Sequence, residues 1–237
     1  LKTRGEARTL FVAATILEAE RIVSYFGCAL PSVYGPPIAL TADIDILITG
    51  VGSGATGFSL GRWMDPARYD TAFQFGICGT FREDIALGSV VRIGADGYSD
   101  LGAETDLEPI SLFEMGLLRE NDFPYEGGRV LASSSVPSVI ASIPEVAGVT
   151  VQRVLSKPES IAYVRRRYSP DVVTMESATF MFSCRLLGIE GFGLRSVSDR
   201  VGPRDKSTWR IDEAVVGITE VMKMVALAVP CDRRPTQ

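Results

Sequence analysis

Short apolar runs alternate with helical patterns along this chain, and that alternation restricts the possible folds more than any other feature. The clearest unit spans residues 172–188. The β-branched run Val172-Val173-Thr174 stops at Met175-Glu176, a helical stretch follows from Ser177, and Gly188 closes it. Strands and helices in succession build βα units on a parallel sheet. The same pattern predicts a strand over 9–14, followed by a helix with apolar residues at 16, 17, 19, 22, 23 and 26 that ends at Gly27. Residues 44–49 read as a strand leading through a glycine-rich turn into a helix toward Met64. Residues 71–75 read as a strand with 76–81 as its exit turn, and 87–93 as another strand. A strand over 148–155 precedes Ser156-Lys157-Pro158-Glu159, whose capping-box spacing opens a helix to Tyr168. Residues 191–197 form the last predicted strand, 208–228 a long apolar helix, and the tail from Pro230 reads as loose. Residues 98–104 and 111–115 show no period and read as a long loop or insertion. No repeat and no linker breaks the pattern. The expectation is a single α/β domain over 1–237, with a mixed, largely parallel central sheet flanked by helices.

Composition narrows the chemistry. The 237 residues are 46% apolar and 22% charged, with a formal charge of -5 and no basic run, so nucleic acid is not an expected partner. No apolar stretch approaches the length of about 18 residues that suggests a membrane span, and no signal-peptide pattern is read at the start. Cysteines at 28, 78, 184 and 231 lack C-x-x-C spacing, which argues against zinc and a disulfide framework and fits the cytoplasm. Histidine is absent. That removes Ser–His and Cys–His nucleophiles and most zinc or copper sites. Acid–base work falls to Asp, Glu, Lys, Tyr or Cys, and neither metal nor cofactor is expected.

Three acids, Glu18, Glu176 and Asp199, each follow a predicted strand. Strand ends far apart in sequence converge at the mouth of an α/β sheet, where such folds bind ligands. Converging carboxylates push one another's pKa values apart and yield an acid and a base in one pocket. Each has a plainer reading. Glu18 completes a capping box with Thr15, and Glu176 favours the positive end of a helix. Gly52-x-Gly54-x-x-Gly57 matches the dinucleotide fingerprint, but in the second βα unit, with Asp70 before the next strand rather than after it. A glycine turn that lets the backbone approach a ligand closely is the simpler account. An NAD-dependent oxidoreductase is therefore the remote alternative.

Five segments carry a resemblance: Ala13-Ala14-Thr15-Ile16-Leu17-Glu18, Thr49-Gly50-Val51-Gly52, Phe75-Gly76-Ile77-Cys78-Gly79, Val173-Thr174-Met175-Glu176-Ser177-Ala178 and Arg195-Ser196-Val197-Ser198-Asp199. In this order they resemble the purine nucleoside phosphorylase and nucleosidase superfamily over nearly the whole chain. Ser99-Asp100-Leu101-Gly102-Ala103-Glu104 and Ser111-Leu112-Phe113-Glu114-Met115 are similar to the futalosine hydrolases of the alternative menaquinone pathway. The methylthioadenosine/S-adenosylhomocysteine nucleosidases, less similar there, are the nearer alternative.

The resemblance implies hydrolysis of an N-ribosyl bond to a purine, futalosine giving hypoxanthine and dehypoxanthine futalosine. It makes Asp199 the acid at purine N7, Glu18 the base for water, and Glu176 the acceptor for the ribose hydroxyls. Met175 would pack beneath the sugar, with Cys78, Gly79 and Leu155 about the base. It also implies a homo-oligomer. Gln74 and Glu18 stand where phosphorylases of the superfamily place phosphate-binding groups, which favours water over phosphate. Ser177-Ala178-Thr179 departs from the commoner Gly-Ala-Ala. Arg200, Arg204 and Lys206 are candidates for the benzoate of futalosine, and Tyr98, Phe113 and Phe180 for stacking. Loop charge and core packing are the plainer readings of these six.

Overall fold

The computed structural model of the chain describes residues 8–232. In chain order the elements are β1 (Arg8–Ala13), α1 (Ile16–Tyr25), β2 (Ile38–Ala39), β3 (Ile44–Ile48), α2 (Ser53–Trp63), β4 (Tyr69–Thr80), β5 (Val90–Asp96), β6 (Gly102–Ala103), β7 (Ile110–Ser111), β8 (Val130–Leu131), β9 (Glu145–Thr150), α3 (Pro158–Tyr168), β10 (Val172–Thr174), α4 (Ser177–Leu187), β11 (Glu190–Arg200) and α5 (Ile211–Asp232). One mixed sheet has the order β10-β9-β5-β11-β4-β1-β3-β2, with β8 beside β5. β10 also pairs with the far end of β4, so five strands close into a ring. The pairings of β4 with β1 and β11, β1 with β3, and β9 with β5 and β10 are parallel. Those of β11 with β5 and of β2 with β3 are antiparallel.

Alternation along the strands divides the core between two faces. Leu10 and Val12 of β1 turn toward Phe180, Met181 and Cys184 of α4. Phe11 and Ala13 turn the other way, toward Ile22 of α1 and Ile218 and Met222 of α5. On that second face Phe11, Phe73 and Phe75 meet edge to face. Both faces are covered, so the central strands are almost uniformly apolar rather than alternating.

Several boundaries differ from the sequence reading. β4 does not turn at Gly76 but runs to Thr80, because β11 and β10 supply partners that the local sequence does not reveal. β9 ends at Thr150 and β5 begins at Val90. The expected capping box at Ser156 does not form. α3 starts at Pro158 with Lys157 as N-cap, which puts Ser156 one residue too early. Residues 98–115 hold the small β6–β7 hairpin among turns. α5 continues to Asp232, past the expected loose start at Pro230. Residues 233–237 and the side chain of Cys231 lie outside the described residues.

One buried charge cluster ties the sheet together away from the carboxylate triad. Asp45 of β3 is fully buried and accepts from Arg8, Arg68 and the Tyr69 hydroxyl. Burial pushes its carboxyl upward, but the hydrogen bonds from Arg8, Tyr69 and Arg68 outweigh it and hold the pKa below the ordinary value. The folded value therefore lies under the unfolded one of about 3.9. The stability this supplies is present above that pH and is lost as pH falls through the folded value. Asp45→Ala is expected to lower the unfolding free energy by about 3 kcal/mol at neutral pH, because it strands the arginines. The deficit should shrink at pH 3, which urea titrations at the two pH values will measure.

Candidate active site

β1 ends at Ala13, and its ladder to β4 stops at the pair Val12–Gln74. β4 continues, so the N–H groups beyond Gln74 lack a strand partner on that side. A carboxylate takes the place of the missing strand: Ile77 N–H donates to Glu18 Oε1 at 3.0 Å. Glu18 Oε2 accepts from the Thr15 N–H at 3.0 Å and lies 2.8 Å from the Thr15 hydroxyl, completing the capping box of α1. The capping reading of Glu18 is thus realised by Oε2, while Oε1 reaches across to β4. Gly76 makes the approach possible, since a Cβ there would stand 2.3 Å from Glu18 Oε1.

Two residues further on, about 7 Å at strand spacing, Gly79 faces Asp199. The expectation placed Asp199 past a strand. It lies within β11, where a register shift between Val197 and Asp199 sets it opposite Gly79. A Cβ at Gly79 would come within 3.2 Å of Asp199 Oδ2 and 3.1 Å of Val173. Burial raises the Asp199 carboxyl above its ordinary value, against a hydrogen bond from Ser198. The Ser198 hydroxyl sits 2.7 Å from Asp199 Oδ1 and 3.1 Å from the Cys78 carbonyl, one proton between two acceptors.

Glu176 is the N-cap of α4, yet its side chain does not cap the helix. Its Oε1 accepts the Gly52 N–H at 2.8 Å. Gly52 has φ +88°, a conformation suited to glycine, so the glycine turn brings backbone to this carboxylate. Burial raises the Glu176 pKa. Arg195 and the Gly52 N–H oppose the shift, and the nearby Glu18 charge adds to it. The structure therefore brings Glu18 and Asp199 against nearby residues of β4, with Glu176 close enough to Glu18 for their charges to interact.

The other expected residues lie close by. Cys78 is buried between the Glu18 and Asp199 contacts, and burial pushes its thiol up to about 12, so it is no thiolate nucleophile. Met175 is half-buried at the junction before Glu176. Leu155 packs against the buried cluster of Phe81, Val149 and Val164, as do Val173 and Val201, which flank Gly79. A cleft of about 880 Å³ is not lined by Glu18, Glu176 or Asp199. It opens beside Leu155, between residues 99–111 and α3. Two buried polar residues lie beside these acids: Gln74, weighed from the sequence only against phosphate binding, and Arg195, to which the sequence reading gave no role. Arg195, 2% exposed, donates to Gln74 Oε1 at 2.5 Å and makes no carboxylate ion pair among the described residues. Gln74 Nε2 has no hydrogen-bond partner. An arginine inside an apolar strand was the available signal.

The tail and stacking candidates follow their plainer readings. Arg200 donates to the carbonyls of Arg82 and Glu83, Arg204 lies over Trp209, and Lys206 is exposed in a short turn. Phe180 is core and Phe113 packs edge-on against Tyr125. The Tyr98 hydroxyl lies 3.0 Å from Thr179. The first amides of α2, which a dinucleotide pyrophosphate would need, are taken: Gly52 N–H by Glu176 and Ser53 N–H by Gln152. Among the described residues no cluster suits a metal ion, and no helix is long and apolar enough to cross a membrane.

A family model described as the Phosphorylase superfamily matches residues 46–229. A protein named futalosine hydrolase from Thermus thermophilus is 27% identical over 215 residues, 86% of this chain and 94% of that one. Another of that name from Acidothermus cellulolyticus is 30% identical over 222 residues, 88% of this chain and 86% of that one. Among solved structures, native futalosine hydrolase of Helicobacter pylori superposes with a TM-score of 0.75 at 14% identity, covering 95% of this chain and all of that one (100%). The 5'-methylthioadenosine/S-adenosyl homocysteine nucleosidase of the same organism gives 0.77 at 14% identity, covering 94% and 99%. At that identity the structures show the same fold.

The close approach at Gly76 yields a direct test. Gly76→Ala is expected to dislodge Glu18 from both Ile77 and Thr15, at a cost of about 2 kcal/mol. The thermal midpoint should fall by roughly 4–8 °C, given about 2–4 °C per kcal/mol for a chain of this size. An unchanged midpoint in a calorimetric scan would contradict the tight packing of that carboxylate.

Proposed function

This chain belongs to the Phosphorylase superfamily, and within it we propose an N-glycosyl hydrolase that cleaves futalosine to hypoxanthine and dehypoxanthine futalosine, in menaquinone biosynthesis. The observation that carries the reading is the placement of Glu18 and Asp199 two residues apart along β4, in a chain that resembles proteins named futalosine hydrolase over most of its length. Purine is a poor leaving group until protonated. Asp199 donates that proton at N7, a role favoured by burial, which pushes its carboxyl above the ordinary value. The ribose then carries oxocarbenium-like charge, as in glycoside hydrolysis generally. Glu18 takes the proton from the attacking water. Its Oε1 holds one N–H and keeps further acceptor capacity for that water.

Glu176 accepts from the ribose hydroxyls. Such a bond tightens as positive charge builds on the sugar, which favours the transition state over the ground state. Met175 lies beneath the sugar, and Cys78, Gly79 and Leu155 line the base. Phosphate is a poor alternative to water, since the Glu18 and Glu176 carboxylates would repel it. Among the described residues Cys28, Cys78 and Cys184 are free thiols, which suits a cytoplasmic enzyme.

A homo-oligomer is part of the same reading. Gly54, Gly57 and Gly61 share one face of α2 with Phe58, and Phe58 is 62% exposed. Small residues around one large apolar side chain suit close packing of a second copy. Phe58→Glu should convert the assembly to monomer, as followed by sedimentation velocity. A wild-type protein that sediments as a monomer ends that part of the proposal.

Incubation with futalosine should release hypoxanthine, and release of adenine from methylthioadenosine alone would refute the substrate. Asp199→Asn and Glu18→Gln should each lower kcat by at least about 100-fold with far-UV spectra unchanged. The proton on Asp199 is needed, so kcat/KM should fall as pH rises through its raised pKa, and Asp199→Asn should abolish that limb of the profile.

A further inference from the structure

The N-terminus of α4 has an unusual cap. The N-cap side chain ordinarily accepts from the first free amides of the helix, but the carboxylate of Glu176 is committed to Gly52. Two threonines take its place, Thr174 at the end of the strand that leads into the helix and Thr150 from β9. Ser177 N–H donates to Thr174 Oγ1 at 3.2 Å, and Ala178 N–H donates to Thr150 Oγ1 at 2.9 Å. Thr150 Oγ1 lies 3.3 Å from Thr174 Oγ1 and 3.0 Å from Asp96 Oδ1.

Asp96, on β5, is fully buried, and its Oδ2 has no hydrogen-bond partner. It stands tightly against Gly148, where a Cβ would come within 2.3 Å of Oδ2. The Thr150 hydroxyl donates to Asp96 Oδ1. The Thr174 proton then points at Thr150, and both helix amides point into the chain. Every donor runs toward the buried acid, and a negative charge is favourable at that helix end. Burial pushes the Asp96 carboxyl up to about 7, with the charges of Arg195 and Arg129 drawing it down. Burying such a group is costly, and its side-chain hydrogen bond goes to Thr150.

We propose that Asp96, acting through Thr150 and Thr174, is a positioning residue: it anchors the start of α4 so that the Glu176 carboxylate is released from capping and aimed at Gly52 and the sugar. This rests on the reading of Glu176 as the acceptor of the ribose hydroxyls. Asp96 touches no reacting atom, so its effect must pass through Glu176.

That requirement gives the test, a double-mutant cycle on futalosine hydrolysis. Thr150→Val removes the hydroxyl and keeps the shape. It should lower kcat/KM at least tenfold in the wild-type background and less than twofold in the Glu176→Gln background. Thr150→Ser, which restores the hydroxyl, should stay within threefold of wild type. Equal losses from Thr150→Val in both backgrounds, or full activity of Thr150→Val, overturn the proposal while leaving Glu176 its role. Wild-type activity in Glu176→Gln overturns that role, and the proposal with it. If Thr150→Val fails to fold, Asp96→Asn, which removes the charge at constant volume, goes through the same cycle with the same expected outcomes.

Discussion

The site exists because β4 outruns β1. A central strand in a parallel sheet ordinarily has partners on both sides for its whole length. Here the β1 ladder stops at Gln74, and β10 takes up pairing only at Gly79 and Thr80. The edge between them would leave inward N–H groups unpaired, which a folded chain rarely tolerates. Glu18 meets that need at Ile77, so a structural deficit holds a carboxylate at the mouth of the sheet. On the opposite edge β11 stays in register until it shifts at Val197, and the shift turns Asp199 toward Gly79. Glycines at 76 and 79 leave the room that both acids occupy.

Holding two carboxylates along one strand with a third near Glu18 carries an electrostatic cost. Glu176 and Asp199 are both raised, chiefly by burial. Glu18 keeps two backbone N–H donors, from Thr15 and Ile77. Arg195 supplies positive charge without a direct ion pair among the described residues, held by Gln74 and the Leu194 carbonyl. A direct pair would have neutralised one of the acids. A guanidinium held off by a neutral amide moderates Glu176 and leaves its oxygens to other donors. In a chain without histidine, such gradation of environment is the means of separating an acid from a base.

The sequence made the βα alternation, the α4 unit and the closing Gly188 legible, because each rests on local chemistry. Gly188 has φ +66°, as a glycine helix stop requires. The three acids were legible as strand-end residues, and their order in the chain carried the family resemblance. What was not legible depends on partners remote in sequence. The length of β4 is set by β10 and β11, and the burial of Asp96 by β9. Arg195 was visible as a letter but not as a buried charge. Glu18 was legible as a helix cap and as a candidate site acid. Sequence could not show that one oxygen caps α1 while the other meets β4.

That division of labour recurs at the two helices that begin at the site. At α1 the helix amide is satisfied by Thr15 and the acid at the third position, so a single carboxylate serves both the helix and β4. At α4 the acid stands at the cap itself, one turn too early for the same arrangement. If its oxygens went to the helix amides, neither would reach Gly52. The threonines of β9 and β10 accept those amides instead. Thr150 and Thr174 are neighbours in the ladder between those strands. A ladder within the ring, that of β9 and β10, therefore also sets where α4 begins, so the pairing of those strands and the aim of Glu176 are a single geometric condition.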